Sequence, residues 1–210
     1  MQNQNTDQSN GEQAILEAAE ELFAEQGFAA TSMSAIAKLA NTSKANIYHH
    51  FSSKNDLYLA ILKAAASHSS ALLAALADAG GSFSQRLAEF SAGQLSNILT
   101  HQCSTQLIMR EALSGNSERG REIAEIVVNE RFAQLVSMIH QGQQANEFRN
   151  DIDPALTAFI ILAANHFFFQ AAPVMQHVPE IGFGQDADSY THDVMDIVFN
   201  GVLPTGESHS

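Results

Sequence analysis

Along almost the whole of this 210-residue chain apolar residues recur every three or four positions, and nowhere do they alternate as in a strand. That period belongs to helices with one buried face, so the expected fold is all-α, with about nine helices. Ile15, Ala19, Leu22 and Phe23 form a first stripe, on a helix with Ser9 and Glu12 as its capping box and a stop at Gly27-Phe28. Met33, Ile36, Ala37 and Ala40 make a second, short stripe capped by Thr31 or Ser32. Asn41-Thr42-Ser43 turns sharply, because Asn tolerates a left-handed backbone, and Ser43 caps a third helix whose Ile47 and Phe51 face inward. Ser53-Lys54-Asn55-Asp56 then caps a long helix reaching about Ala79, where Gly80-Gly81 ends it. Further helices are expected over 83–99, behind a Ser82/Gln85 capping box, and over 103–114, 118–145, 154–172, behind Asp153-Pro154, and 187–200.

Charge changes the picture in one place. The chain carries −13 overall, with −6 on residues 1–30 and −10 on 64–210, yet residues 31–63 carry +3 from Lys38, Lys44, Lys54 and Lys63 against Asp56. An acidic protein is repelled by nucleic acid unless it offers a local basic surface, and the helix-turn-helix pattern sits in that basic stretch. Lys44, Ala45, Asn46, Tyr48 and His49 point outward from the third helix in this reading. Asn pairs with adenine, Lys donates to guanine and the Ala methyl touches thymine, which suits a helix entering a major groove. The start of the fourth helix, with Lys54, makes an anion site for a phosphate.

The segment ILEAAEELFAEQGFAATSMSAIAKLANTSKANIYHHFSSKNDLYLAIL, residues 15–62, resembles the TetR family of bacterial one-component regulators. The GF corner, the T-S before the second helix, IAKLA, Y-x-H-F and S-K-N-D-L stand in the family's order and spacing. The resemblance implies a helix-turn-helix DNA-binding domain over 11–62 and a helical effector-binding and dimerisation domain over 63–204. It places Ser34, Lys44, Ala45 and Asn46 on bases of double-stranded operator DNA, and Tyr48, His49 and Lys54 on phosphates. It also implies a cytoplasmic homodimer paired through the helices near 154–172 and 187–200, and a repressor released by a small-molecule effector. Two positions depart from the pattern: Ala40-Asn41-Thr42-Ser43 replaces the usual Ala-Gly-Val-Ser turn, and Ala45 stands where Gly is common.

Catalytic motifs are missing: the chain contains no G-x-S-x-G, G-x-G-x-x-G, Walker A, H-E-x-x-H or C-x-x-C pattern, and no His has another three or four residues on. Neither an enzyme nor a metal or other cofactor is expected. The polar MQNQNTDQSN start lacks the apolar core of a signal peptide, and with the single Cys103 it points to a reducing compartment. Residues 1–10 and 205–210 are expected to be disordered tails. The most apolar run, 157–175, contains Asn165, His166 and Gln170 and reads as a buried helix, so no membrane partner is expected. Ten of the thirteen Phe lie beyond position 80. Phe90, Phe132, Phe159 and Phe169 are candidate walls of an effector pocket, with His101, Gln106, Arg110 and His166 as its polar groups, for an apolar effector with an anionic or hydrogen-bonding end. The plainer readings are a Phe-rich core, a hydrogen-bonded His166, an Arg110 ion-pair set with Glu111 and Glu125, and Cys103 as a small buried hydrophobe. A different class of function is a helical module whose head docks a protein instead of DNA, and it would lack the steep salt dependence of phosphate binding.

Overall fold

Capping side chains and helical stripes determine where the elements begin in the computed structural model, which describes residues 3–77, 79–113, 117–182 and 186–202. Among these residues there are ten α-helices and no strand: α1 (Asn3–Ala30), α2 (Met33–Leu39), α3 (Lys44–His50), α4 (Lys54–Ala77), α5 (Phe83–Thr100), α6 (Gln102–Leu113), α7 (Ser117–Ile123), α8 (Asn129–Gln144), α9 (Pro154–Met175) and α10 (Ala187–Val202). Ser32, Ser43 and Ser53 each accept an amide three residues on, at 3.1, 3.0 and 3.0 Å. Ser82 and Gln85 form a reciprocal capping box, with bonds of 3.1 and 3.2 Å, and Asp153 accepts the Ala155 amide at 2.8 Å ahead of Pro154. Each cap satisfies an amide that the helix cannot, a contribution of about 1 kcal/mol.

Three elements depart from the sequence expectation. The backbone of residues 3–10 is helical instead of a disordered tail, and Ser9 is no cap, because each residue added to an existing helix gains a hydrogen bond and no Pro interrupts the stretch. The tail expected at 205–210 lies outside the described residues. The helix expected over 118–145 is α7 and α8 joined by a π-helical turn at Ala124–Val128, which accounts for ten helices in place of nine. Pro173 also fails to end α9, since it sits in the last turn, where its missing amide removes a single bond.

The helices form two compact units, residues 1–67 with 101–127 and residues 68–100 with 128–210. The boundary expected between 62 and 63 falls five residues later, and α6 and α7 join the head, because Leu107, Ile123 and Val127 are buried in the same core as Ile15, Phe23, Ile47 and Tyr58. In that core Phe23, Phe28 and Tyr58 meet as a three-ring cluster with centroids 5.1–5.6 Å apart. The core of the second unit is built on Leu87, Phe90, Leu135, Ala158, Ile161 and Met195.

Within that unit α9 is not buried all round. Thr157, Ala158, Ile161, Asn165, Phe168 and Phe169 face the core, while Leu156, Phe159, Ile160, Phe167 and Val174 make a solvent-exposed apolar stripe. α4 and α9 are long and apolar enough to cross a membrane by length and composition alone, a test that core helices of soluble proteins also pass.

At Gly27 the backbone takes φ 82° and ψ 163°, a region open to Gly and strained for residues with a Cβ. Its carbonyl accepts the Thr31 hydroxyl at 2.9 Å, so the break in α1 is held in place. Gly27→Ala is expected to destabilise the head by about 1–3 kcal/mol. The check is hydrogen exchange, which should speed up at the amides of α2 and α3 and stay unchanged in α8 and α9.

Candidate nucleic-acid interface

The turn between α2 and α3 depends on Asn41, the residue with left-handed φ of 49°, and on the Thr42 amide, which donates back to the Ala37 carbonyl at 2.9 Å. Ile47 is fully buried from α3 and Phe51 nearly so, both packed in one core with Ile36, Ala37, Leu57 and Tyr58. With that face anchored, the opposite one is presented outward: Lys44, Ala45, Tyr48 and His49 on α3 are exposed, as is Ser34 on α2. The Lys44 ammonium lies 5.9 Å from the Tyr48 ring centre. Five of the seven residues expected on DNA are therefore accessible.

The other two behave differently. Asn46 is half-buried and its Nδ2 donates to the Thr42 hydroxyl at 3.0 Å. That bond uses one amide hydrogen and leaves the second, with Oδ1, as the donor and acceptor pair that adenine requires. Thr42, the departure from the usual Val, thus orients the side chain expected to read a base, and the four-residue spacing on a helix start was the signal for it. Lys54, expected on a phosphate, is turned inward. Its ammonium donates to the Phe28 and Thr31 carbonyls at 2.7 and 2.9 Å and lies 4.3 Å from the centre of the Phe28 ring. The reason is local: the carbonyls at the end of α1 lack helical partners and draw the nearest cation. Lys38, exposed in the last turn of α2, is a basic group on the head that sequence reasoning counted but gave no contact. His50 is largely buried and stands 3.7 Å from the Glu12 carboxylate, across α3 and α1.

The residues expected to form an effector pocket are divided between the two units. His101, Gln106 and Arg110 belong to the first unit, and Phe90, Phe132, Phe159, His166 and Phe169 to the second. Phe90 is 2% exposed and serves as core, Phe159 is 62% exposed on the outer stripe of α9, and Gln106 faces solvent. Arg110 donates to the Phe23 carbonyl at 3.3 Å, and Ser104 of the same helix donates to the Glu20 carboxylate, so α6 is tied to α1. Leu107 and Arg110, three apart on α6, carried that signal in the sequence. Cys103 is exposed instead of buried, and its thiol is pushed up by partial burial and by Glu20, Glu21 and Glu25, which disfavours the reactive thiolate. His166 shares its Nδ1 proton with the Leu162 carbonyl at 2.8 Å, the plainer of its two readings. Burial lowers its pKa, the Leu162 bond opposes this, and Arg131 lowers it further.

An outward helix with Lys, Ala, Asn and Tyr on its face, braced by a second helix through a left-handed turn, defines a helix-turn-helix DNA-binding transcriptional regulator. Residues 15–61 match the sequence model of the family described as bacterial regulatory proteins, tetR family. The chain is 26% identical over 200 residues to the HTH-type transcriptional regulator RutR of Escherichia coli (strain K12), a match covering 91% of this chain and 90% of that one. Its fold is shared with a Clostridium perfringens putative fatty acid metabolism regulator, at a TM-score of 0.79 and 16% identity over 91% of this chain and 100% of that one. It is also shared with FadR from Bacillus subtilis in complex with stearoyl-CoA, at a TM-score of 0.76 and 19% identity over 90% and 98% of the two chains. Residues 15–61 are thus a TetR-family DNA-binding domain, and the relatives named are regulators, not enzymes.

Two outcomes follow for the head and one for the second unit. On a duplex selected for binding, Lys44→Ala is expected to lower the log–log salt slope by roughly one contact. Lys54→Met is expected to leave the slope unchanged and to destabilise the head by about 1.5–3 kcal/mol, the loss of hydrogen bonds from a charged donor. Because the folded pKa of His166 is lowered, the unfolded chain binds its proton first as pH falls. Stability is therefore complete above the ordinary imidazole value of about 6.5 and declines as pH drops through the lowered folded value. Denaturation midpoints from pH 8 to pH 5 measure this, and His166→Gln should remove part of the decline.

Proposed function

We propose that the protein is a cytoplasmic, homodimeric repressor that a small molecule releases from its operator. The observation carrying this reading is the exposed apolar stripe of Leu156, Phe159, Ile160, Phe167 and Val174 on α9. Five large apolar side chains on one face of a helix mark a surface that a partner covers. A second copy suits it, because two recognition helices related by a twofold axis then meet two half-sites about 34–36 Å apart, or a helical-turn multiple of that.

Release needs a route from ligand to recognition helix. Along the chain, α4 contributes residues to both units and begins at Lys54, beside the Phe51 anchor of α3. α6 offers a second route. It follows α5 directly, and its Ser104, Leu107 and Arg110 are bound to α1 and the head core. A ligand that binds one arrangement of α4 and α6 more tightly than another shifts the head, and couplings of about 1–3 kcal/mol per site suffice when two heads act together. The stearoyl-CoA of the Bacillus subtilis protein is a polyanion, and the −10 carried by residues 64–210 here favours an effector without several negative charges.

The double variant Phe159→Asp, Phe167→Asp tests assembly and DNA reading together. Sedimentation should show a helical monomer, and affinity for a selected duplex should fall toward that of one head on one half-site. A variant that stays dimeric and keeps full affinity would show that this stripe is not the dimer face.

A further inference from the structure

In the second unit α5 and α10 border a groove of 580 Å³ whose chemistry differs from the Phe-walled pocket expected above. Its floor is apolar, with Ala88 and Ala92 from α5 and Met195 and Phe199 from α10. Its rims are acidic: Glu89 stands on the α5 side, while Asp188 and Asp196, eight residues apart and so on one face of α10, stand on the other. His192 lies between the two aspartates, and no Lys or Arg lines the groove. All three carboxylates are exposed, and among the described residues none is in an ion pair. Asp196 accepts a bond from Asn200 at 3.1 Å, which fixes the side chain without neutralising it.

We propose that this groove binds a lipophilic organic cation, an apolar or aromatic body carrying an ammonium or delocalised positive charge. The size lies inside the range of small-molecule sites, and the floor asks for an apolar body. Three like charges on opposite rims repel one another, and a cation lying between them relieves that repulsion while an anion adds to it. Phe199, stacked on Phe148 with ring centroids 6.3 Å apart, gives the groove an aromatic lining beside these carboxylates. A bare metal ion would leave the floor exposed to water, and the described residues contain no group of three His, Cys, Asp or Glu placed to hold one. A second copy meeting this rim across a twofold axis would set these carboxylates against identical ones, which disfavours it as the occupant. The cation takes the place of the anionic end expected of the effector. Its consequence at DNA rests on the ligand-released repressor reading, while binding itself does not.

The test uses two xanthene dyes of similar body and opposite charge, rhodamine 6G and fluorescein, titrated against the full chain without DNA and followed by fluorescence anisotropy. Rhodamine 6G is expected to bind saturably, one per chain, at least tenfold more tightly than fluorescein, and to weaken with added salt. Glu89→Gln with Asp196→Asn should weaken it roughly fivefold or more, and Ala92→Phe, which fills the floor, should abolish it. Circular dichroism and sedimentation confirm that each variant keeps its helices and assembly. Equal binding of the two dyes, or rhodamine binding indifferent to both variants, overturns the proposal, as does a change of oligomeric state in the carboxamide variant, which would make the groove an interface. Operator release is then read separately. A dye that binds in the groove without releasing DNA leaves the site standing and removes it from the repressor mechanism, whereas a dye that does not bind removes the site whatever happens at the operator.

Discussion

The ammonium of Lys54 joins the end of α1 to the start of α4, and the placement of the recognition helix follows from that junction. α1 breaks at Gly27 and leaves carbonyls that its own helix cannot satisfy. Lys54 satisfies those of Phe28 and Thr31 while its ammonium lies over the Phe28 ring, and four residues later Tyr58 packs on the same ring. α3 lies between these two helices in sequence and is pinned on its inner side by Ile47 and Phe51, so its outer face has one orientation relative to the head. A lysine that looks like a DNA contact therefore acts as a brace between α1 and α4, behind the exposed face of α3.

Charge is the second constraint. On a chain of −13 a phosphate backbone is drawn to local cations, and with the Lys54 ammonium held by two carbonyls the exposed cations of α2 and α3 are Lys38 and Lys44. The helix-start amides at Ser53-Lys54-Asn55 remain the other source of positive potential. The acidity elsewhere keeps the remainder of the surface off DNA, and in the α5–α10 groove it sets the sign of the ligand that can enter.

What could be read in the sequence was local. Ser32, Ser43, Ser53, Ser82 and Asp153 cap the helices they were expected to cap, because a cap is decided within four residues, and the all-α fold follows from a repeat visible in any short window. The exposed face of α3 was legible for the same reason. The inward bonds of Lys54 and Arg110 and the setting of Cys103 were not legible because they come from residues 26 to 87 positions away, at Phe28, Phe23 and the acidic face of α1. The burial of the candidate effector residues was the least legible. A Phe at helical spacing looks the same whether it faces the core, as Phe90 does, or solvent, as Phe159 does, and only the assembled unit separates them. The α5–α10 groove combines residues about a hundred positions apart, so no motif could have announced it.

The central claim is that the outer face of α3 and the start of α4 form the surface that meets DNA. Hydrogen exchange of the full chain, alone and bound to a duplex selected for binding, tests it without any substitution. The account predicts slowed exchange concentrated at residues 42–57, with two protein chains per duplex. Protection absent from α3, or confined to the second unit, would contradict it.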